Sequence, residues 1–352
     1  MPTGTDCASK AFFLGILPAE TILAMSLLPY RPHLLLRNGH LQTLMVGLNC
    51  GWRPSYNADL IEVEVPDGER LAVHQEKTGP LPDDSPTVIL IHGLGGDHSS
   101  PYLQRIAHRL SKAGQRAWRV DLRGCGAGIK LGWRPPHAGR SDDIAAVIKE
   151  ARKRYPQSPI RVVGFSLSGN ILLKLLGEAG QGTSIVSHEE IDSAIAIAPP
   201  IELGKCADRI DRLDNRFYTK YYLRVLGGQV DQRRQVWEQW SKVPASPLPK
   251  TIRQFDARYT VPLSGLTSTD NYYASCSALP VVKHIKTPTT ILADKTDPIV
   301  APDSFGFVPD DHPNVKVVTT KHGGHMGYWG RDDAGKTVRW MELFVQHQLL
   351  DC

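Results

Sequence analysis

Residues 160–170 read IRVVGFSLSGN. The apolar run IRVV leads into a glycine-bracketed turn with serines two positions apart, and the helical pattern LSGNILLKLLGEAG (167–180) follows directly. Strand, sharp turn and helix in that order form the frame that holds a serine hydroxyl out as a nucleophile. Such a turn is so tight that the positions two before and two after the nucleophile must be small. Ser166 has Gly164 and Ser168 there, whereas Ser168 would have Ser166 and the bulkier Asn170. Steric fit therefore selects Ser166. Serine at 168 stands where glycine is usual, which crowds the turn without closing it.

The surrounding pattern tells what the turn is set into. TVILIH (87–92), RAWRVD (116–121), SAIAIA (193–198), TTILAD (289–294) and VKVVTT (315–320) are short apolar runs of the kind buried on both faces of a parallel sheet. DLIEVEVPDGERLAVHQEK (59–77) alternates polar and apolar residues around Pro-Asp-Gly and reads as an antiparallel hairpin. Helical patterns fall at 100–114, at 141–156 with a Ser141 cap and an acidic first turn, and at 336–350. Strand–helix alternation predicts a doubly wound α/β sheet, its first pair antiparallel and the rest parallel. From about 201 to 282 the pattern is helical and irregular, and reads as an insertion over the sheet.

A serine hydroxyl needs a base, and the base an orienting acid, in the chain order Ser, acid, His for this kind of sheet. ILADKTDPIVAP (291–302) places Asp297 in a loop beyond a strand end, with Asp294 as the fallback. KHGGHMGYW (321–329) offers His325 as the base and His322 as the weaker candidate. An oxyanion needs donors already in place. The glycine turn IHGLGG (91–96) aims the Leu94 N–H inward, and the Leu167 N–H at the elbow helix supplies the second.

Other chemistries fit poorly. The HGGH pair has no third ligand at metal spacing, so no metal or cofactor is expected. HGLGGD has His98, and RGCGAG has Ile129, where a dinucleotide fingerprint needs its last glycine. A serine at the elbow, where dehalogenases and epoxide hydrolases of such folds carry aspartate, points to acyl transfer. The composition is that of a globular protein, 41% hydrophobic and 22% charged, with a net charge of +5 spread in scattered pairs. That excludes a nucleic-acid footprint. Six cysteines without paired spacing read as free thiols of a cytoplasmic protein. The apolar stretch 11–30 is broken by Pro18, Glu20 and Pro29, and reads as an arm packed on the domain, with peripheral membrane contact left open.

These motifs together resemble the α/β-hydrolases, and within them the YheT-type family of bacterial esterases, yeast alcohol acyltransferases and animal lipid hydrolases. The resemblance is carried by RNGHLQTL (37–44), HGLGGDHSSPYLQ, DLRGCGAG, GFSLSGN, FDARYTVPLSGLTSTDNYYASCS (255–277), DPIV and GGHMGY. It implies Ser166, Asp297 and His325 as a catalytic triad, agreeing with the residue-level reading, and places Ser168 against the family's usual glycine. The expected organisation is an N-terminal arm (1–58), an α/β-hydrolase core (59–200 and 283–352) and a helical lid (201–282), whose Phe217, Tyr218, Tyr221 and Tyr222 line an acyl pocket or pack on the sheet. The expected activity is cleavage of acyl esters or lipids through an acyl-enzyme. Alcohol acyltransfer from the same intermediate is the alternative, and a non-catalytic binding protein on this fold a more distant one.

Overall fold

The computed structural model describes residues 28–47 and 51–350. The segment before the sheet carries helix α1 (Gly39–Gly47). One sheet then follows in eight strands: β1 (Ala58–Glu64), β2 (Arg70–Glu76), β3 (Thr87–Ile91), β4 (Arg116–Val120), β5 (Ile160–Phe165), β6 (Ser193–Ile197), β7 (Thr289–Asp294) and β8 (Val315–Thr320). Their order is β1-β2-β4-β3-β5-β6-β7-β8, with every pair from β4 to β8 parallel. The apolar runs become strands because helices cover both faces. Helix α2 (Pro101–Lys112) and the C-terminal helix Trp340–Leu350 seal one core, which includes Leu90, Phe165 and Phe344. Helices α3 (Ser141–Arg154) and α4 (Leu167–Gln181) seal the other, which includes Ile89, Val162 and Ile171.

Three sequence expectations need correction. Both β1–β2 and β2–β4 are antiparallel, so the sheet has two antiparallel pairs, not one. A tight turn dictates how hairpin strands run against each other, but not how the hairpin docks on the parallel block. Ser141 is the first helical residue of α3 and Arg140 its cap, without a side-chain cap bond. The last helix starts at Trp340, because Thr337–Arg339 pairs antiparallel with Trp329–Arg331. The β-branched Thr337 and Val338 suit that short ribbon.

Between β6 and β7 the chain makes helices α5 (Leu203–Ile210) and α6 (Arg216–Val236), followed by short helical turns ending at Leu279–Val282. This segment is tied to loops at the carboxyl ends of the strands. Arg209 Nη2 donates to the Asp297 carbonyl at 2.9 Å, and the Trp237 indole N–H to the Ile129 carbonyl at 2.7 Å. Among the described residues no helix is long and apolar enough to cross a membrane. The stretch 11–27 of the expected arm lies outside them. Tyr30, just after it, packs on Tyr328 and Trp340. Cys125, Cys206 and Cys276 are buried free thiols.

Candidate active site

The carboxyl ends of β5, β7 and β8 lie on one edge of the sheet because these strands run the same way, and each delivers one expected residue. Ser166 follows β5 at φ 51°, ψ −116°, a conformation that a side chain adopts only under strain. The elbow is held by the Ser166 N–H, which donates to the Ile197 carbonyl at 2.8 Å. A Cβ on Gly164 would stand 2.4 Å from the Ser168 carbonyl oxygen, so the turn has no room for one. Ser168 itself is fully buried, and its hydroxyl donates to the His92 carbonyl. Its departure from glycine thus adds a tie between α4 and the end of β3, away from the reacting position.

The Ser166 hydroxyl lies 2.9 Å from His325 Nε2, and His325 Nδ1 lies 2.8 Å from Asp297 Oδ2. A carboxylate accepts only, so the Asp297 bond places the proton on Nδ1 and leaves Nε2 to accept from the serine. Asp297 and His325 are both buried. The other Asp297 oxygen accepts the N–H groups of Ile299 and Val300 at 2.7 and 2.9 Å, which locks the carboxylate toward the histidine.

The fallback residues stand elsewhere. Asp294 accepts from the N–H groups of Gly323, Gly324 and Thr296 and from the hydroxyls of Thr296 and Thr320. It anchors the histidine loop and does not meet His325. His322 Nδ1 sits 2.7 Å from the Arg37 carbonyl. Among the described residues a different ligand group lies close enough to hold a cation: His74, His98 and Asp121. There both imidazoles and the N–H groups of His98 and Ala127 donate to one carboxylate. These bonds hold the Asp121 carboxyl far below the usual range despite its burial.

The expected oxyanion donors flank Ser166. Leu94 and Leu167 line the same cavity as the serine, and neither N–H meets an acceptor among the described residues. The Leu94 peptide is oriented by a residue that sequence reasoning passed over. His92 Nδ1 donates to the Gly93 carbonyl at 2.8 Å, while its Nε2 accepts the Leu122 N–H at 3.0 Å. Gly96 N–H also donates to that carbonyl. In a trans peptide the N–H points opposite the C=O, so these two bonds turn the Leu94 N–H away from them. Full burial lowers the pKa of His92 and favours the neutral tautomer that this arrangement needs.

The motif RNGHLQTL also escaped mechanical interpretation, because its work is done across the whole chain length. Gln42, fully buried, donates to the Leu36 and Trp329 carbonyls and accepts the Trp329 N–H. The Thr43 hydroxyl accepts the His325 N–H at 2.9 Å. A Cβ on Gly39 would lie 2.0 Å from the Thr296 carbonyl oxygen, so α1 sits directly on the loop between Asp294 and Asp297. That support suits a histidine loop with positive φ at His322, Gly324, Met326 and Tyr328.

From Ser166 a mainly apolar cavity runs under α5 and α6, walled by Leu203, Ile210, Leu226 and Phe255 among others. Of the four expected aromatics only Tyr222 lines it. Tyr218 bonds and stacks on His40, while Phe217 and Tyr221 face solvent, as their polar-side positions on an amphipathic helix require.

A mostly parallel α/β sheet with a serine on a strained strand-to-helix turn, beside a carboxylate-held histidine, has the architecture of a serine hydrolase. Residues 86–332 match the family described as alpha/beta hydrolase fold, and the chain belongs to that family. It is 26% identical over 298 residues to "Putative esterase YheT" of Escherichia coli (strain K12), covering 83% of this chain and 85% of that protein. It is 28% identical over 272 residues to a monoacylglycerol lipase of Saccharomyces cerevisiae, covering 73% of this chain and 57% of the yeast protein. The solved Pyrococcus furiosus esterase Pf2001 aligns with a TM-score of 0.52 at 20% identity, covering 85% of this chain and 92% of that one, a likeness of fold alone. With this family and these relatives the chain is a hydrolase.

Proposed function

We propose that the protein is a serine carboxylesterase that cleaves acyl esters of short to medium chain length, lipid esters included, through an acyl-enzyme. The observation that carries this reading is the continuous line Ser166 Oγ, His325 Nε2, His325 Nδ1, Asp297 Oδ2, with contacts of 2.9 and 2.8 Å. His325 takes the Ser166 proton as the hydroxyl oxygen attacks the ester carbonyl, and Asp297 stabilises the imidazolium that forms. The N–H groups of Leu94 and Leu167 receive the oxyanion. The proton on Nε2 then passes to the departing alkoxide. Water, deprotonated by His325, releases the acid and restores Ser166. The helical segment 201–282 acts as the lid, and its apolar underside receives the acyl chain.

Labelling with a fluorophosphonate, followed by peptide mapping, tests the reading. The expected adduct is on Ser166 and is lost in His325→Ala. A folded protein that takes no label, or takes it on Ser168, overturns it.

A further inference from the structure

One face of α6 lines the cavity with Tyr222, Leu226, Gln229 and Arg233, spaced as residues of a single helical face. The last is a guanidinium only 2% exposed. Among the described residues Arg233 makes no ion pair, and its Nε has no hydrogen-bond partner. Its contacts are a weak one from Nη2 to Cys125 Sγ at 3.6 Å and the Trp240 ring at 5.1 Å. The thiol offers no charge, because burial pushes it up to about 11. A buried cation without an anion is costly to the fold.

The rest of the cavity wall does not compensate it. His137 is neutral, burial and nearby arginines having pushed it down to about 3. Asp256 has its oxygens engaged by the Thr260 and Tyr273 hydroxyls. Among the described residues Arg233 is therefore the uncommitted cation of the cavity that begins at Ser166.

We infer that Arg233 receives an anionic group of the substrate, so that the preferred ester carries a carboxylate or a phosphate at some distance from the scissile carbonyl. This rests on the esterase reading and narrows its substrate class. A guanidinium fork matches either anion in shape and charge. Position sets the distance. Arg233 packs on Gly124 and Cys125 beyond the end of β4, and Ser166 follows β5; β3 lies between those strands. Two strand spacings are about 10 Å. The anion thus sits a medium-length chain away from the ester, with apolar wall between them.

The test compares the p-nitrophenyl monoester of azelaic acid, p-nitrophenyl nonanoate and the p-nitrophenyl ester of ω-phosphonooxyoctanoic acid. One or both anionic esters should exceed the neutral ester in kcat/KM by about 10- to 100-fold, the range of a charge-assisted bond. Whichever exceeds it identifies carboxylate or phosphate as the group recognised. In Arg233→Met that ratio should fall toward one, and the variant should melt no lower than the wild type. Arg233→Lys, which keeps the charge but loses the fork, should show a reduced ratio even if Arg233→Met does not fold. A wild-type ratio of one or below, or a ratio unchanged in both variants, overturns the inference. Calorimetric titration with free azelate and with ω-phosphonooxyoctanoate, which needs no turnover, separates the two readings. Arg233-dependent binding without hydrolysis of any ester sinks the esterase and keeps the anion site. Hydrolysis of the neutral ester without binding of either anion does the reverse.

Discussion

The Thr43 hydroxyl accepts the backbone N–H of His325 at 2.9 Å, joining residues 282 apart in the chain. The same hydroxyl donates to the Gly39 carbonyl at 2.7 Å, so its acceptor lone pair is aimed at the histidine loop. Thr43→Val keeps the shape and removes both bonds, leaving the buried His325 N–H unpaired at a cost of about 1–3 kcal/mol. The expected result is kcat lowered by about 10-fold with KM little changed, as for a misaligned base. Thr43→Ser should restore most of it. Steady-state kinetics on one p-nitrophenyl ester, read alongside melting curves, decides this.

Asp294 and Asp297 stand three residues apart but should fail differently. Asp297→Asn removes the acceptor that holds the His325 tautomer and should cut kcat by about 10⁴-fold in a folded protein. Asp294→Asn disturbs a carboxylate that accepts five donors from the loops around it, so its first symptom should be a lower melting temperature. Equal kcat losses with equal melting temperatures would show that the roles are not divided in this way.

The two elbow serines give a sharper contrast. Ser166→Ala should lose at least about 10⁴-fold in kcat, the scale seen when a nucleophile of this type is removed. Ser168→Ala loses only the bond to the His92 carbonyl, worth about 1 kcal/mol, and should keep its turnover within a few-fold. Activity lost equally in both would point to a damaged elbow.

Asp256 makes stability depend on pH. Burial pushes its carboxyl up to about 6, although the Thr260 and Tyr273 hydroxyls donate to it. The folded state thus holds this proton more tightly than the unfolded chain does, and stability from this group is greatest below the ordinary value of 3.8 and falls as pH rises toward 6. The loss over that window is about 3 kcal/mol. Asp256→Asn should abolish this component. Denaturant melts of both proteins between pH 4 and 7 measure it, and parallel curves for the two would refute the assignment.

Much of this molecule is local in origin. The apolar runs at 87–92, 160–165 and 289–294 became parallel strands, and the glycine-bracketed turn became a strained elbow, because burial pattern and steric limits act over a few residues. Asp297 and His325 were legible for a related reason: each closes a strand of the same direction, so chain order alone puts them on one edge. The docking of the hairpin was not legible, since two antiparallel pairs and one have the same local sequence. Nor was the start of the last helix, where Thr337–Arg339 found a strand partner eight residues back.

Sequence by itself determined the sheet, the elbow and the identities of the three residues that meet there, because small residues, apolar periodicity and strand direction constrain them locally. Only the tertiary structure decided what holds them in register. Thr43 on His325, Gln42 on Trp329, Asp294 under the glycine loop and His92 behind Leu94 are all bonds between segments distant in the chain. It also decided which lid side chains enter the cavity, leaving Phe217 in solvent and burying Arg233 without a counter-ion among the described residues. A hydrogen bond or a buried charge depends on the coordinates of both partners, and no spacing along one chain specifies that.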